Sequence, residues 1–260
     1  MTDRADQTGD LEGLTPLGDC HRCRYEQALR GKGRCAPGDA CVQVQSGRQI
    51  DRFFRNNPEE APEHIADQFW ERRAIAARYI PVERLPELMK DPDETVRRAV
   101  AYRISVDQLA QLIDDPDREV RITVADRLPA NALEPLAQDE DYQVRVYVAR
   151  RLPSERLFVM MSDGEREVRR AVAMRLPLVS LAFMVYDEAP EVRRLVASRL
   201  SGEAVTPLLA DSDWTVRLEA ARNANPEAVR HLLDDPEPDV RKVAEERLAR
   251  VSHDLVPSAR

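Results

Sequence analysis

The chain has 260 residues, 43% of them hydrophobic, which is enough for a sizeable core, and a formal net charge of −8. No run of residues approaches the length of about eighteen that an apolar spanning helix needs, so the composition reads as a soluble, cytoplasmic protein. The acidic balance argues against wholesale attraction to nucleic acid or anionic lipid.

Residues 1–19, MTDRADQTGDLEGLTPLGD, are polar and acidic and read as a disordered tail. Residues 20–45 hold the chain's four cysteines, Cys20, Cys23, Cys35 and Cys41, spaced C-x2-C-x11-C-x5-C. In a reducing compartment clustered thiols are poor disulfide candidates, and metal ligation is the leading explanation. A C-x2-C pair can wrap one metal site, and four thiolates complete either a tetrahedral zinc or an iron-sulfur cluster. The wide x5 arm spans a larger object more comfortably than the second tight pair of a zinc ribbon, which favours a [4Fe–4S] cluster, with zinc as the alternative. Arg22, Arg24, Arg30, Lys32 and Arg34 outnumber Glu26 and Asp39 in this segment, a basic excess suited to an anionic metal-thiolate centre of either kind. His21 reads as solvent-facing, because four cysteines already complete a site. GKGR at 31–34 lacks the rest of a phosphate-loop pattern and reads as the turn that returns Cys35 towards Cys20.

Residues 46–82 read as a helical capping segment with a degenerate first repeat. AIAARY echoes the later AVAYRI, but at an offset of 25, and Phe53, Phe54, Phe69 and Trp70 concentrate aromatic bulk beside the cysteines.

From 83 to 248 the chain is periodic. Val-Arg recurs at 96, 120, 144, 168, 192, 216 and 240, with an Asp five residues before each Val. At about 100° per residue, Val96, Val100, Ala101 and Ile104 share one helical face. Asp91-Pro92, Asp115-Pro116 and Asp235-Pro236 suit an N-cap followed by the first helical residue. Pro129, Pro153 and Pro177 mark helix ends. The remainder of each repeat, such as SVDQLAQLID, leaves room for a 3₁₀ segment or a single α-turn. No stretch alternates as a strand does. The fold class is therefore all-α: a solenoid of 24-residue repeats, each an α-helix and a 3₁₀ or short helix, without β-sheet, carrying a small cysteine-rich N-terminal cap. Residues 249–260 read as a frayed tail.

The Arg of each Val-Arg lies inside the apolar arc, where a charge must be paired and hydrogen-bonded. The recurrent Asp six residues earlier is the partner, within a repeat or from the next. Asp91 with Arg97, Asp115 with Arg121, Asp139 with Arg145, Asp163 with Arg169, Asp187 with Arg193, Asp211 with Arg217 and Asp235 with Arg241 form a structural ladder. The arginines at 103, 127, 151, 175, 199 and 247 sit at the rim of the arc, where they read as long side chains lying over the groove between repeats rather than as a basic edge.

The combination of L-x2-L, D-x4-V-R and V-A-x-R-L-P in a 24-residue unit, preceded by CHRCRYEQALRGKGRCAPGDAC, resembles the leucine-rich repeat variant proteins of nitrogen-fixing bacteria. The resemblance covers residues 20 to 248. It implies a right-handed superhelix of alternating α- and 3₁₀-helices and a [4Fe–4S] cluster on the N-terminal cap, with Cys20, Cys23, Cys35 and Cys41 as ligands. The Asp–Arg spacing is also similar to the inter-repeat ladder of HEAT repeats. Asn223, Ala224 and Asn225 replace R-L-P, which implies looser stacking there. The family brings no activity with it.

Function then reads as a protein-interaction module that binds an unidentified protein partner, with a cluster that transfers an electron or reports redox state. The alternatives are a structural metal cap with no redox role and weak nucleic-acid binding through the rim arginines. Catalysis is not expected: the four histidines are scattered, and four cysteines leave no iron open.

Overall fold

A computed structural model describes residues 15–254. Most of the tail expected over 1–19 lies outside those residues. Among the described residues every regular element is helical. The bridges Ala36–Ala40 and Gly202–Ala224 are isolated, and no strand forms. No described helix is long and apolar enough to cross a membrane.

The helices are α1 (Glu26–Leu29), α2 (Gly47–Asn56), α3 (Trp70–Ala76), α4 (Glu94–Ala101), α5 (Val106–Leu109), α6 (Arg118–Arg127), α7 (Tyr142–Arg151), α8 (Arg166–Arg175), α9 (Leu178–Leu181), α10 (Pro190–Arg199), α11 (Trp214–Asn223) and α12 (Pro238–Asp254). Short connecting segments, such as Val82–Leu88 and Ser154–Met160, are 3₁₀, as the six to eight residues left over in each repeat require.

Two compact units divide the chain, one ending at Arg127 and one starting at Leu128. In the first, α2 packs on α3, α3 on α4 and α4 on α6. In the second, α7 packs on α8, α8 on α10, α10 on α11 and α11 on α12. The periodic apolar columns fill these contacts: every valine from Val96 to Val240 at the Val-Arg position is buried, as are Val100, Val124, Val148, Val172 and Val196 one turn later. Each such side chain contributes about 1.5–3 kcal/mol by leaving water, and it does so only because the next helix covers it.

Helix starts differ from the expected Asp-Pro cap. The N-cap of α4 is Asp93, whose carboxylate accepts from Thr95 N at 2.9 Å, while Asp91 accepts from Asp93 N at 2.9 Å in a side-chain turn that leads into the cap. Pro92 belongs to that turn. Asp141 and Asp213 cap α7 and α11 in the same way. Helix ends follow the prolines: Leu152 and Leu176 take ψ of 141° and 138°, the extended conformation that a following proline demands.

Three further departures have local causes. The 24-residue register already holds in the segment where the offset of 25 suggested a break: Arg73 stands 24 residues before Arg97, and Ile80, fully buried, 24 before Ile104. The stacking around Asn223 is not loosened, because its Nδ2 reaches Ala197 O at 3.1 Å and its carbonyl accepts from Gly202 N at 3.0 Å, with Ala224 buried beside it. Finally, the tail expected from residue 249 continues α12 as far as Asp254, since no Gly or Pro interrupts the sequence there. The remainder of that tail lies outside the described residues.

Candidate metal centre

The cysteine segment is a series of tight turns. Cys20–Arg22 form a 3₁₀ turn capped by Asp19, which accepts from His21 N at 3.0 Å, and Cys23 N closes it on Cys20 O at 3.0 Å. This turn brings Cys20 and Cys23 to the lining of one recess. After α1, Arg30–Lys32 turn once more and Gly33, at φ 68°, supplies the left-handed residue that reverses the chain, so GKGR is a turn. Between Cys35 and Cys41 a second reversal pairs Ala36 with Ala40 around Gly38, at φ 80°.

All four cysteines are free thiols; Cys41 is buried and the other three are partly buried. Together they line one recess of about 320 Å³, counting the solvent at its mouth, whose other walls include Gly18, Tyr25, Ala40 and Phe53. Gly18 is required here: a Cβ at that position would sit 2.6 Å from Cys41 Sγ. Burial pushes the Cys35 thiol up, and the neighbouring Cys23, Cys20 and Cys41 add to that. Four thiolates this close repel one another unless a cation holds them, so the donor set fits a metal-thiolate centre. No three His, Cys, Asp or Glu side chains among the described residues are grouped as ligands of one ion, and what the four cysteines share is the lining of this recess. His21 is exposed and does not line it.

Beneath the recess lies a polar chain that the sequence did not reveal. The Tyr25 ring lies tilted against Phe53 with centroids 5.0 Å apart, and its hydroxyl is 3.0 Å from His64 Nε2. His64 Nδ1 is 3.4 Å from Asp67, which binds Arg72 Nη1 through both carboxylate oxygens at 2.8 and 2.7 Å. Burial lowers the His64 pKa, against the opposing pull of Asp67. Arg34 Nη2 donates to Asn56 O at 2.7 Å and Asn57 Nδ2 donates to Arg34 O at 2.9 Å, so the residue before Cys35 is fixed to the end of α2. Gln49 Nε2 donates to Pro16 O at 2.9 Å, which brings part of the expected tail into the site.

The arginine ladder is built one repeat out of step with the sequence reading. Arg97 donates Nε and Nη2 to the Asp115 carboxylate at 2.8 and 2.9 Å, 18 residues ahead, and gives Nη1 to the backbone carbonyl of Asp91 at 2.8 Å. The same fork joins Arg145 to Asp163, Arg169 to Asp187, Arg193 to Asp211 and Arg217 to Asp235. Arg121 and Arg241 likewise donate to the carbonyls of Asp115 and Asp235. The carboxylate partner is thus the next repeat's Asp, and the within-repeat partner is a carbonyl. Arg73, outside the expected ladder, takes the same fork to Asp91 at 2.7 and 2.8 Å.

A second ladder replaces the expected rim of overlying side chains. Arg103 Nη1 bridges Ala77 O and Ile80 O at 2.6 and 2.9 Å, and Arg175 Nη1 bridges Ala149 O and Leu152 O at 2.9 and 2.8 Å. Arg127 and Arg199 bridge two carbonyls in the same way, and Arg247 donates Nη2 to Ala224 O. The guanidinium satisfies carbonyls that a helix leaves open and complements the negative end of its dipole.

The family described as LRV protein FeS4 cluster matches residues 16–63, the stretch from Pro16 to the residue before His64. The leucine rich repeat variant family matches residues 70–93, 94–117, 118–141 and 190–213, and so begins in the register that Arg73 keeps. A solved structure described as a leucine-rich repeat variant with a novel repetitive protein structural motif is 59% identical, with a TM-score of 0.85 over 90% of this chain and 100% of that one. An uncharacterized 27.7 kDa protein in the nifB 3′ region of Rhodobacter capsulatus is 40% identical over 92 residues, 33% of this chain and 37% of that protein, so the match spans little more than a third of that relative's length. A helical 24-residue repeat with this arginine fork, preceded by a four-cysteine segment that the cluster family matches, places the chain in the leucine-rich repeat variant family, among its members with an N-terminal iron-sulfur domain.

Proposed function

We propose that Cys20, Cys23, Cys35 and Cys41 hold a [4Fe–4S] cluster, and that the protein is a cytoplasmic interaction module whose repeats bind a protein partner while the cluster exchanges an electron with it or reports redox state. The observation that carries this reading is the meeting of the chain's only four cysteines around one recess inside the segment that the cluster family matches. A cluster of that type supplies one-electron chemistry when bound. The chain's own residues do the rest: Gly18 leaves space for the Cys41 thiol, and Tyr25 and Phe53 wall the recess with apolar surface that limits water.

Catalysis is not part of the proposal, because four cysteine ligands leave no iron position open to substrate. Nucleic acid is not proposed as a partner either: the rim arginines at 103, 127, 175, 199 and 247 are committed to backbone carbonyls, and the ladder arginines to carboxylates or, at 121 and 241, to backbone carbonyls. A purely structural metal cap is the second reading, favoured by the bonds from Tyr25 to His64 and from Arg34 and Asn57 that weld the cysteine segment to the helices below it.

Anaerobic purification with absorbance, iron and sulfide analysis tests the cluster. A brown protein with a band near roughly 400 nm and about four irons per chain supports it; a colourless protein with one zinc overturns it. Redox titration followed by partner capture in both oxidation states separates the two readings. A centre that never cycles leaves only the structural one.

A further inference from the structure

The outward face of the short segments carries charge or polarity in most repeats. In the column of Val179 the other repeats place Glu83, Asp107, Asn131, Glu155, Glu203 and Glu227. Val179 breaks that rule, and in its own repeat and the one before it, which keeps Glu155, large apolar side chains are exposed. Ser154–Met160 exposes Phe158 and Val159, and the segment from Leu178 to Tyr186 exposes Leu178, Val179, Phe183 and Tyr186. Val179 is 84% exposed, Tyr186 82% and Phe183 77%. Val159 and Phe183 stand 24 residues apart at equivalent positions, and Leu157, Met160, Leu181 and Met184 in the same segments are buried, so the six exposed side chains lie on the outer side of two successive short segments. Arg156, two residues before Phe158, is neutralised by Glu134 at 3.0 Å.

We infer that this face is a self-association surface that seats a second copy of the chain. The three aromatic and three aliphatic residues together expose roughly 700 Å², main chain included, which approaches the ~800 Å² per partner of a stable interface. Its chemistry is that of an interface with an apolar centre and a charged rim: the six exposed side chains carry no charge and one hydroxyl, that of Tyr186, while Glu155, Arg156 and Glu188 border them. Two-fold symmetry sets the same patch against itself, so the chain needs no other complementary surface. A formal charge of −8 opposes the approach of two copies, and a face with an uncharged centre opposes it least. The inference stands apart from the redox reading, since it concerns repeats far along the sequence from the cysteines.

Sedimentation equilibrium of the full chain, anaerobic so that no disulfide forms between copies, tests it from about 1 to about 100 µM. The expected mass is that of two chains. Val179→Glu, which restores the residue type of its column, and Phe183→Glu should each raise the dissociation constant at least about tenfold with an unchanged circular dichroism spectrum. Tyr102→Glu, on an exposed residue of the first unit, should leave it unaltered. A single-chain mass over the whole range, or a dimer that both substitutions leave intact, overturns the inference.

Discussion

Arg97 and Asp115 form a two-pronged ion pair across a repeat boundary, with the carboxylate almost fully buried and held at 2.8 and 2.9 Å. Asp115 at the same time accepts from Asp117 N at 2.9 Å, which turns the chain into α6, and its carbonyl accepts from Arg121 at 2.8 Å. One residue thus receives the preceding repeat's arginine, shapes the next helix start and anchors the next arginine. The apolar columns give each repeat its reason to stack. The ladder gives the stack its spacing, because a fork of this geometry fits only one separation.

Removing one member of that pair leaves the other charged and buried. Arg97→Ala is expected to cost about 3–5 kcal/mol, read as a shift in the urea unfolding midpoint. The double variant Arg97→Met with Asp115→Asn keeps an acceptor for Asp117 N and removes both charges. It should recover at least about half of that loss. If the double variant is as unstable as the single one, the stability does not lie in charge pairing.

The second ladder makes a graded prediction. Arg175→Ala strips two helix-terminal carbonyls of their donor and should cost about 1–3 kcal/mol in thermal unfolding. Arg175→Asn should cost less, because Asn223 already performs this work at the equivalent position through Ala197 O. Equal losses for the two variants would show that the amide cannot stand in for the guanidinium at residue 175.

The helices and the absence of strands were legible because they rest on spacing: a valine every 24 residues, with apolar partners four and eight later, has one helical solution. Buried arginine was legible too, since its place on the apolar arc demands an acceptor. Which aspartate accepts was not. The residue six positions back offers a carbonyl and the one 18 ahead a carboxylate, and only the packing of neighbouring helices decides between them. The register at Arg73 was hidden because Arg72 stands where later repeats have valine. At the metal site the thiols announced themselves, whereas Gly18 and Tyr25 carry no spacing signal of their own, and His64 joins the site only through the Tyr25 hydroxyl once the chain folds.

Gly18 carries the sharpest prediction at the site. Gly18→Ala places a methyl 2.6 Å from Cys41 Sγ and must displace that thiol. Metal affinity is expected to fall on the order of ten- to hundredfold, as it does when the residues supporting a ligand are altered. Iron content and absorbance per chain measure this. The circular dichroism of the repeats should be unchanged, since Gly18 touches none of the periodic columns.

His64 gives the fold a dependence on mildly acidic pH. Burial lowers its pKa in the folded chain below the ordinary 6.5, although Asp67 pulls the other way and Arg24 and Arg72 add to the lowering. As pH falls through about 6.5 the unfolded chain therefore takes up a proton that folded His64 still refuses. The unfolded state binds more protons, so stability must fall, by no more than about 1.4 kcal/mol per pH unit. Asp67, also lowered, acts in a separate window: burial raises it, the hydrogen bonds from Arg72, Phe69 N and His64 and the Arg72 charge together outweigh that, and its contribution is lost only as pH falls below the ordinary 3.8. Urea midpoints at about pH 7.5, 6.5 and 5.5 should decline for the wild type. They should be flatter for His64→Gln, whose amide can still meet the Tyr25 hydroxyl but takes no proton. A wild-type midpoint that stays level across that range would mean His64 titrates as freely in the folded chain as in the unfolded one, and the polar chain from Tyr25 to Arg72 would not be the closed, buried unit its geometry describes.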